Sequence, residues 1–332
     1  MAKVTIEDIS RQTGLSRGTV SRALNDRPDI SAQTKQRVLE VCEKLGYAPS
    51  LAARSLATGR SYAIAVLLDD LHSVFAAAFL RGAITQAQNV RYAVHVAELG
   101  PDPEHQLQAI HATVTERIDG ILMATSLDSS LASALRERIE NKPLVACGAV
   151  DGITADVLTP DQAESGRLVA RHLLQNGHRD ILYVHTPGHA TNERLNGFQE
   201  ICRQHDINPD TVTLDWSSRY SGSLPEDLLL SRLESVRAIA ASDDFLAINI
   251  WTICLRAGRE PGRDIAIMGQ GNERIGVHMT PTLTTVDFCG EEIGRRAMET
   301  SLQRVQKTRM DTPQQVLVPP LLIARESTMM LK

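Results

Sequence analysis

Residues 5–25, TIEDISRQTGLSRGTVSRALN, read as two short helices joined by a tight turn. Thr5, with Asp8 three residues on, makes a capping-box-like start, and Ile6 and Ile9 give the first helix an apolar side. Gly14 breaks that helix where the backbone must reverse, and Leu15 can pack beneath the turn. Ser16 then caps a second helix whose inner face is Val20, Ala23 and Leu24. Arg17, Gly18, Thr19, Ser21, Arg22 and Asn25 are left facing outward. Two arginines among small and hydroxyl residues at a helix N-terminus suit the major groove of DNA. There Arg binds guanine bidentately, and Ser, Thr or Asn hold phosphates. The same letters also fit a small helical domain with a solvated basic face.

Charge distribution separates these readings. The 332-residue chain carries a net −5, yet residues 1–60 hold ten Lys/Arg against six Asp/Glu. A basic end on an acidic body is what a protein needs if only one module touches phosphates. Length and a hydrophobic content of 42% imply that small module plus a larger core. Cys42, Cys147, Cys202, Cys254 and Cys289 are odd in number and lack CxxC spacing, which points to reduced thiols rather than a metal site. His178, His185 and His189 have no ligand spacing either. With no signal peptide and no apolar run near ~18 residues, a soluble cytoplasmic protein is expected.

A third helix follows from Ser31 (N-cap) to Leu45, with Val38, Val41, Cys42 and Leu45 inward and Gly46 as the stop. Pro49 keeps the chain extended before it, and LAARSLATGRS from Leu51 is a helix too short to stand alone. From Tyr62 the period changes. Strands are expected at 62–68, 91–99, 120–124 and 143–147, with helices at 75–88, 103–116 and 130–139 between them. The alternation restarts with helices at 162–175, 192–205, 225–233 and 244–258, and strands at 180–184, near Thr211, 238–240 and 265–268. Such alternation implies parallel sheets in two α/β lobes, with a ligand cleft at the strand C-terminal ends.

The ordered series of VTIEDISRQTGLSRGTVSRALN, YAPSLAARSLATG and a bilobal α/β body resembles the LacI/GalR (lactose-repressor) family. Further matching stretches are IDGIL at 118–122, HLLQNGHRDI at 172–181, ERLNGF at 193–198, SDDFLA at 242–247, PTLTTV at 281–286 and LLIARES at 321–327. The resemblance implies a helix-turn-helix domain at 1–46, a hinge helix or linker at 47–61 and a periplasmic-binding-protein-like body at 62–332. In that body, lobe 1 would take about 62–160 and 289–318, and lobe 2 about 161–288 and 319–332. It also implies a repressor whose homodimer binds palindromic operator DNA and answers to a small-molecule effector, with no cofactor, no metal and no membrane.

Carried over by position, Arg17, Gly18 and Arg22 meet base edges, while Thr5, Ser16, Thr19, Ser21 and Asn25 hold phosphates or support those contacts. Leu56 is the minor-groove wedge with Ala53 beside it, and Ser50 stands where the family usually has Asn. In the cleft, Arg194 fits the arginine that grips hydroxyls or carboxylates, Trp216 a tryptophan under a sugar ring, and Asp243 a polar ligand residue. His72, Ser73 and Phe75 fall on a pocket-wall loop. Gly148 and Gly271 replace ligand-binding aspartates, and Ala124 and Gly290 replace larger residues. The expected ligand is therefore a sugar derivative, with a sugar acid or sugar phosphate favoured over a neutral monosaccharide and a larger neutral sugar as the alternative.

Two other classes compete. A periplasmic sugar carrier shares the bilobal body but not the basic helical start. An enzyme would need chemistry for which the chain shows no GxGxxG, GxxxxGK[ST], HExxH or GxSxG motif, so no catalytic residue is assigned.

Overall fold

The computed structural model describes residues 4–24, 27–47, 55, 58–127, 129–139, 142–148, 150, 152–214 and 225–329. Two compact units make up the chain. One is Met1–Ala63 with Glu116–Asp119, and the other is Ile64–Thr115 with Gly120–Lys332.

The smaller unit holds α1 (Ile6–Thr13), α2 (Arg17–Leu24) and α3 (Ala32–Leu45). Each boundary has a local cause. Asp8 accepts hydrogen bonds from the Thr5 amide and hydroxyl, and Gly14 (φ 68°) ends α1 in the left-handed conformation that glycine adopts without strain. Ser31 caps α3 through the Thr34 amide, and Gly46 stops it in the same conformation. Ile9, Val20, Ala23, Val38 and Cys42 form the core, and Leu15 and Leu24 pack against it. Asp119 accepts from the Ser61 and Tyr62 amides and the Ser61 hydroxyl.

The larger unit contains two parallel sheets. β1 (Ala63–Leu68), β2 (Ala93–Glu98), β3 (Gly120–Ala124), β4 (Leu144–Ala146), β5 (Asp156–Pro160) and β11 (Gln315–Val318) form a sheet in the order β11-β5-β4-β3-β1-β2. Its helices are α4 (Val74–Asn89), α5 (Pro103–Thr113), α6 (Ser129–Ile139) and α11 (Gly290–Val305). β6 (Ile181–His185), β7 (Asp210–Thr213), β8 (Ala238–Ala241) and β9 (Ala266–Met268) make the second sheet, ordered β7-β6-β8-β9. It carries α7 (Gln162–Gln175), α8 (His189–Gln204), α9 (Glu226–Leu233) and α10 (Asp244–Arg256). β10 (Thr285–Asp287) pairs antiparallel with β12 (Leu321–Ile323).

Central strands are buried along their whole length, as parallel strands covered on both faces must be. The chain leaves the first sheet after Pro160, returns through β10 into α11, and leaves again after β11. Ser73, Asp102, Asp161 and Asp243 each accept an amide hydrogen bond as helix N-caps, which fixes how the chain turns from strand into helix. Among the described residues no helix is long and apolar enough to cross a membrane.

Candidate functional site

On the helical unit, α2 buries Val20 and Ala23 and leaves Ser16, Arg17, Gly18 and Arg22 exposed, with Thr19 and Ser21 half-buried. Ser16 serves as the cap: its hydroxyl accepts from the Thr19 amide (3.1 Å) and pairs with the Thr19 hydroxyl (2.9 Å). The arginines are held loosely. Arg17 lies 3.6 Å from Glu7, and Arg22 donates to Asp29 at 2.8 Å, all on the surface. Exposed pairs of this kind are worth ~0–1 kcal/mol, so a phosphate or a guanine edge displaces them easily. Asn25, Ser50, Ala53 and Leu56 lie outside the described residues.

In the larger unit the expected ligand residues follow strand C-terminal ends. Arg194 on α8 is buried; its Nε donates to Gln162 Oε1 (2.6 Å) and its Nη1 to the Ser242 carbonyl (2.5 Å). The guanidinium stacks 4.4 Å above the Phe288 ring. Three segments distant in sequence thus fix one fork. Trp216 lies outside the described residues.

Asp243 also has a structural task at the start of α10. One of its oxygens caps α10 through the Leu246 amide (2.9 Å), and the other takes a long contact from the Ser242 hydroxyl. Its neighbour Asp244 is almost fully buried and holds more together. Asp244 accepts from the Thr285 hydroxyl (2.6 Å) and the Glu273 amide (2.7 Å), tying α10 to β10 and to the loop after β9. Burial pushes the Asp244 carboxyl up to about 7, against the opposing pull of those two donors.

The glycines read as vacated ligand positions have structural causes. At Gly148 a Cβ would lie 2.7 Å from Ser126 Oγ and from the Thr125 carbonyl oxygen. At Gly290 it would press on Phe75 and Ala78 at 3.1–3.2 Å. The missing side chains are replaced by protein, and no room is gained for a larger ligand there. Gly271 has φ +131°, a conformation that L side chains rarely adopt, and a Cβ there would meet Asp244 Oδ2 at an ordinary 3.8 Å. Gln270 beside it is fully buried, bonded to Ser165, Tyr183 and Ala241. Ala124 ends β3 in the core, Ser73 caps α4, and Phe75 is half-buried near Phe79.

His72 is exposed and bonded to Asp70 (3.0 Å). Asp70, His72 and Glu98 converge within 4.8 Å on the surface, where Glu98 accepts from the Leu71 amide and Asp70 from the His72 amide. His178 and His185 are buried against Thr328 and Thr213, apart from His189 on the surface. The five cysteines are unpaired thiols; burial pushes Cys147 and Cys254 up to about 12, far from thiolate chemistry. Gln162 and Phe288 carry no local signal in the sequence, and for Asp244 the only visible signal is the Asp243-Asp244 doublet.

Comparison with known proteins places these features. Residues 5–50 match the model for bacterial regulatory proteins of the lacI family, and residues 170–328 the model for a periplasmic binding protein-like domain. The transcriptional regulator DegA of Bacillus subtilis is 28% identical, with 98% of both chains covered. The transcriptional repressor PurR of Aliivibrio fischeri is 27% identical, covering 91% of this chain and 92% of its own. Among solved structures, a Lac repressor dimer bound to operator and an anti-inducer superposes with a TM-score of 0.78 at 24% identity, over 98% of this chain and 99% of its own. The transcriptional regulator CelR–cellobiose complex superposes with a TM-score of 0.72 at 23% identity, over 98% and 100%. The chain thus pairs a lacI-family DNA-binding domain with a periplasmic-binding-protein-like body, the organisation of a DNA-binding transcription regulator.

Proposed function

We propose that this protein is a repressor that binds a palindromic operator as a homodimer and is controlled by a sugar or sugar derivative. The observation that carries the DNA reading is the exposed Arg17–Gly18–Arg22 face of α2, opposite a core of Val20 and Ala23. Arg17 and Arg22 read base edges, and Thr5, Ser16, Thr19 and Ser21 support phosphate contacts, with Asn25, Ser50, Ala53 and Leu56 completing the interface. Exposed Leu255, Ile275 and Val277 on α10 and the short helical turn after β9, with Leu228 and Leu230 on α9, support a dimer face.

Lobe 1 takes about 62–160 and 289–318, and lobe 2 about 161–288 and 319–332. Strand membership in the two sheets supports this division. The ligand sits at the strand C-terminal ends, gripped by the preset fork of Arg194 and stacked on Trp216, with His72, Ser73, Phe75, Ala124 and Gly271 around it. A relative solved as a cellobiose complex supports the carbohydrate class. Arg194 and the lack of carboxylates at Gly148 and Gly271 favour a sugar acid or sugar phosphate. Ligand changes operator affinity by its differential affinity for two lobe arrangements, ~1–3 kcal/mol.

The test is selection of an operator from a random duplex pool, followed by mobility-shift titration of variants. Arg17→Ala and Arg22→Ala should each cost ~1–3 kcal/mol on the selected site and relax base preference. An Arg17→Ala protein that keeps the parent's ratio of selected to random affinity would move the recognition surface elsewhere.

A further inference from the structure

A polar cavity lies away from the strand C-terminal ends, between α11 and the β5–β11 edge of the six-stranded sheet. It measures about 260 Å³ and is lined by Asp156, Arg296, Glu299, Thr300, Gln303, Arg309 and Gln314 over a floor of Leu158 and Val316. Asp156 and Gln314 stand at the starts of β5 and β11, the opposite strand ends from those preceding Arg194 and Asp243.

The charges around it are nearly all spent on one another. Asp156, almost fully buried, takes two hydrogen bonds from Arg304 (2.9 and 3.0 Å) and one from the Gln314 amide. Arg309 donates to Asp311 at 3.0 Å and lies 3.7 Å from Asp156. Glu299 and Glu292 are both drawn to Arg295. What remains is a single helix face. Arg296, Thr300 and Gln303 follow one another at spacings of four and three, which stacks them on one side of α11. None of the three side chains makes a hydrogen bond or salt bridge to another described residue; Glu292 acts on Arg296 only through space. Thr300 is nevertheless only 6% exposed. A half-buried guanidinium with no carboxylate in contact is uncommon where the other charges lining the cavity are paired, and Thr300 stands beside it in the cavity wall. A row of guanidinium, hydroxyl and amide donors facing a cavity is a complement to an oxyanion.

We infer that this cavity is a second ligand site, taking a small molecule with a carboxylate or phosphate group held by Arg296 and Thr300, with Gln303 bonding the remainder of it. Leu158 and Val316 limit the occupant to a compact one. The inference is independent of the effector reading, because it shares no residue with the Arg194 site.

Calorimetric titration of the full chain with inorganic phosphate, and separately with succinate, tests it and distinguishes the two oxyanions. Binding of either at millimolar concentration, weakened about tenfold by Arg296→Met and less by Thr300→Val, is expected. Arg194→Met should leave it unchanged, which separates this site from the effector site. Arg296 bonds to nothing described, so its variant should melt with the parent. Should it melt lower, Arg296→Lys keeps the charge without the fork and should bind at an intermediate strength. No heat from either anion, or heat that ignores both Arg296→Met and Thr300→Val, overturns the inference.

Discussion

Both halves of the larger unit join a pair of helices at backbone contact, and both do it with reciprocal glycines. In the six-stranded half a Cβ on Gly82 would sit 1.9 Å from the Glu291 carbonyl oxygen, and one on Gly294 1.9 Å from that of Phe79. In the four-stranded half the same construction puts Gly166 1.8 Å from the Arg194 carbonyl oxygen and Gly197 2.0 Å from that of Ala163. The difference is what lies on the seam. The α7–α8 seam runs through the backbone of Arg194, whose side chain is then oriented by Gln162 on the facing helix. On the α4–α11 seam the facing pair is Arg81 and Glu291, an exposed salt bridge at 3.1 Å. One packing device serves only cohesion in one half, and in the other it also sets the aim of a binding group.

The largest effect should come from the seams themselves. Alanine at Gly82, Gly294, Gly166 or Gly197 should each cost upwards of ~3 kcal/mol in urea unfolding, because the clash is with backbone, which cannot rotate away. A Gly82→Ala chain with the parent's midpoint would show slack in the first seam and break the parallel.

A smaller contrast is electrostatic. Asp244 belongs to the four-stranded half and is held neutral up to about 7, above its ordinary 3.8. A carboxyl raised by folding stabilises the protein below its unfolded pKa, and that contribution is lost as pH rises through the folded value. Stability should therefore fall by about 3 kcal/mol from this group between roughly pH 4 and pH 7. Asp244→Asn should flatten that slope. An unchanged slope in the variant would assign the pH dependence to other groups.

The smallest expected change sharpens the comparison most. Gln162→Ala should weaken effector binding about fivefold, the worth of one hydrogen bond, with little loss of stability. Arg81→Ala, its counterpart on the other seam, should alter neither. The ligand for the titration is the sugar or sugar acid that raises the melting temperature most in a thermal-shift panel. Equal losses from both variants would mean that the seams transmit to the site alike.

The elements legible in the sequence were those with strong local signals. The helix expected at 162–175 is found as Gln162–Gln175, with Asp161 as its cap, and GILMA stands as β3. Beyond Met268 the letters said little. β10 and β12 are three residues each, and β5 ends in a proline. α11 starts from Cys289 at φ 56° without a side-chain cap, and its buried face opens on Gly290 and Gly294 rather than on large apolar residues. In the site, Arg194 was reached through resemblance. Its supports were not, because Gln162, Ser242 and Phe288 become neighbours only through tertiary structure. The Asp243-Asp244 doublet shows a further limit, since helix phase decides which carboxylate caps and which is buried.

The three passages of the chain between the sheets, after Pro160, through β10 and after β11, bear on how the protein is made. Neither half is a continuous stretch of polypeptide. On the ribosome, β1 to β5 emerge early, but the groove at Gly82 on α4 stays uncovered until Gly294 is synthesised, after nearly all of the four-stranded half. The nascent chain thus displays an unfinished apolar layer for much of its synthesis, the condition in which holding chaperones engage and premature termination yields aggregates.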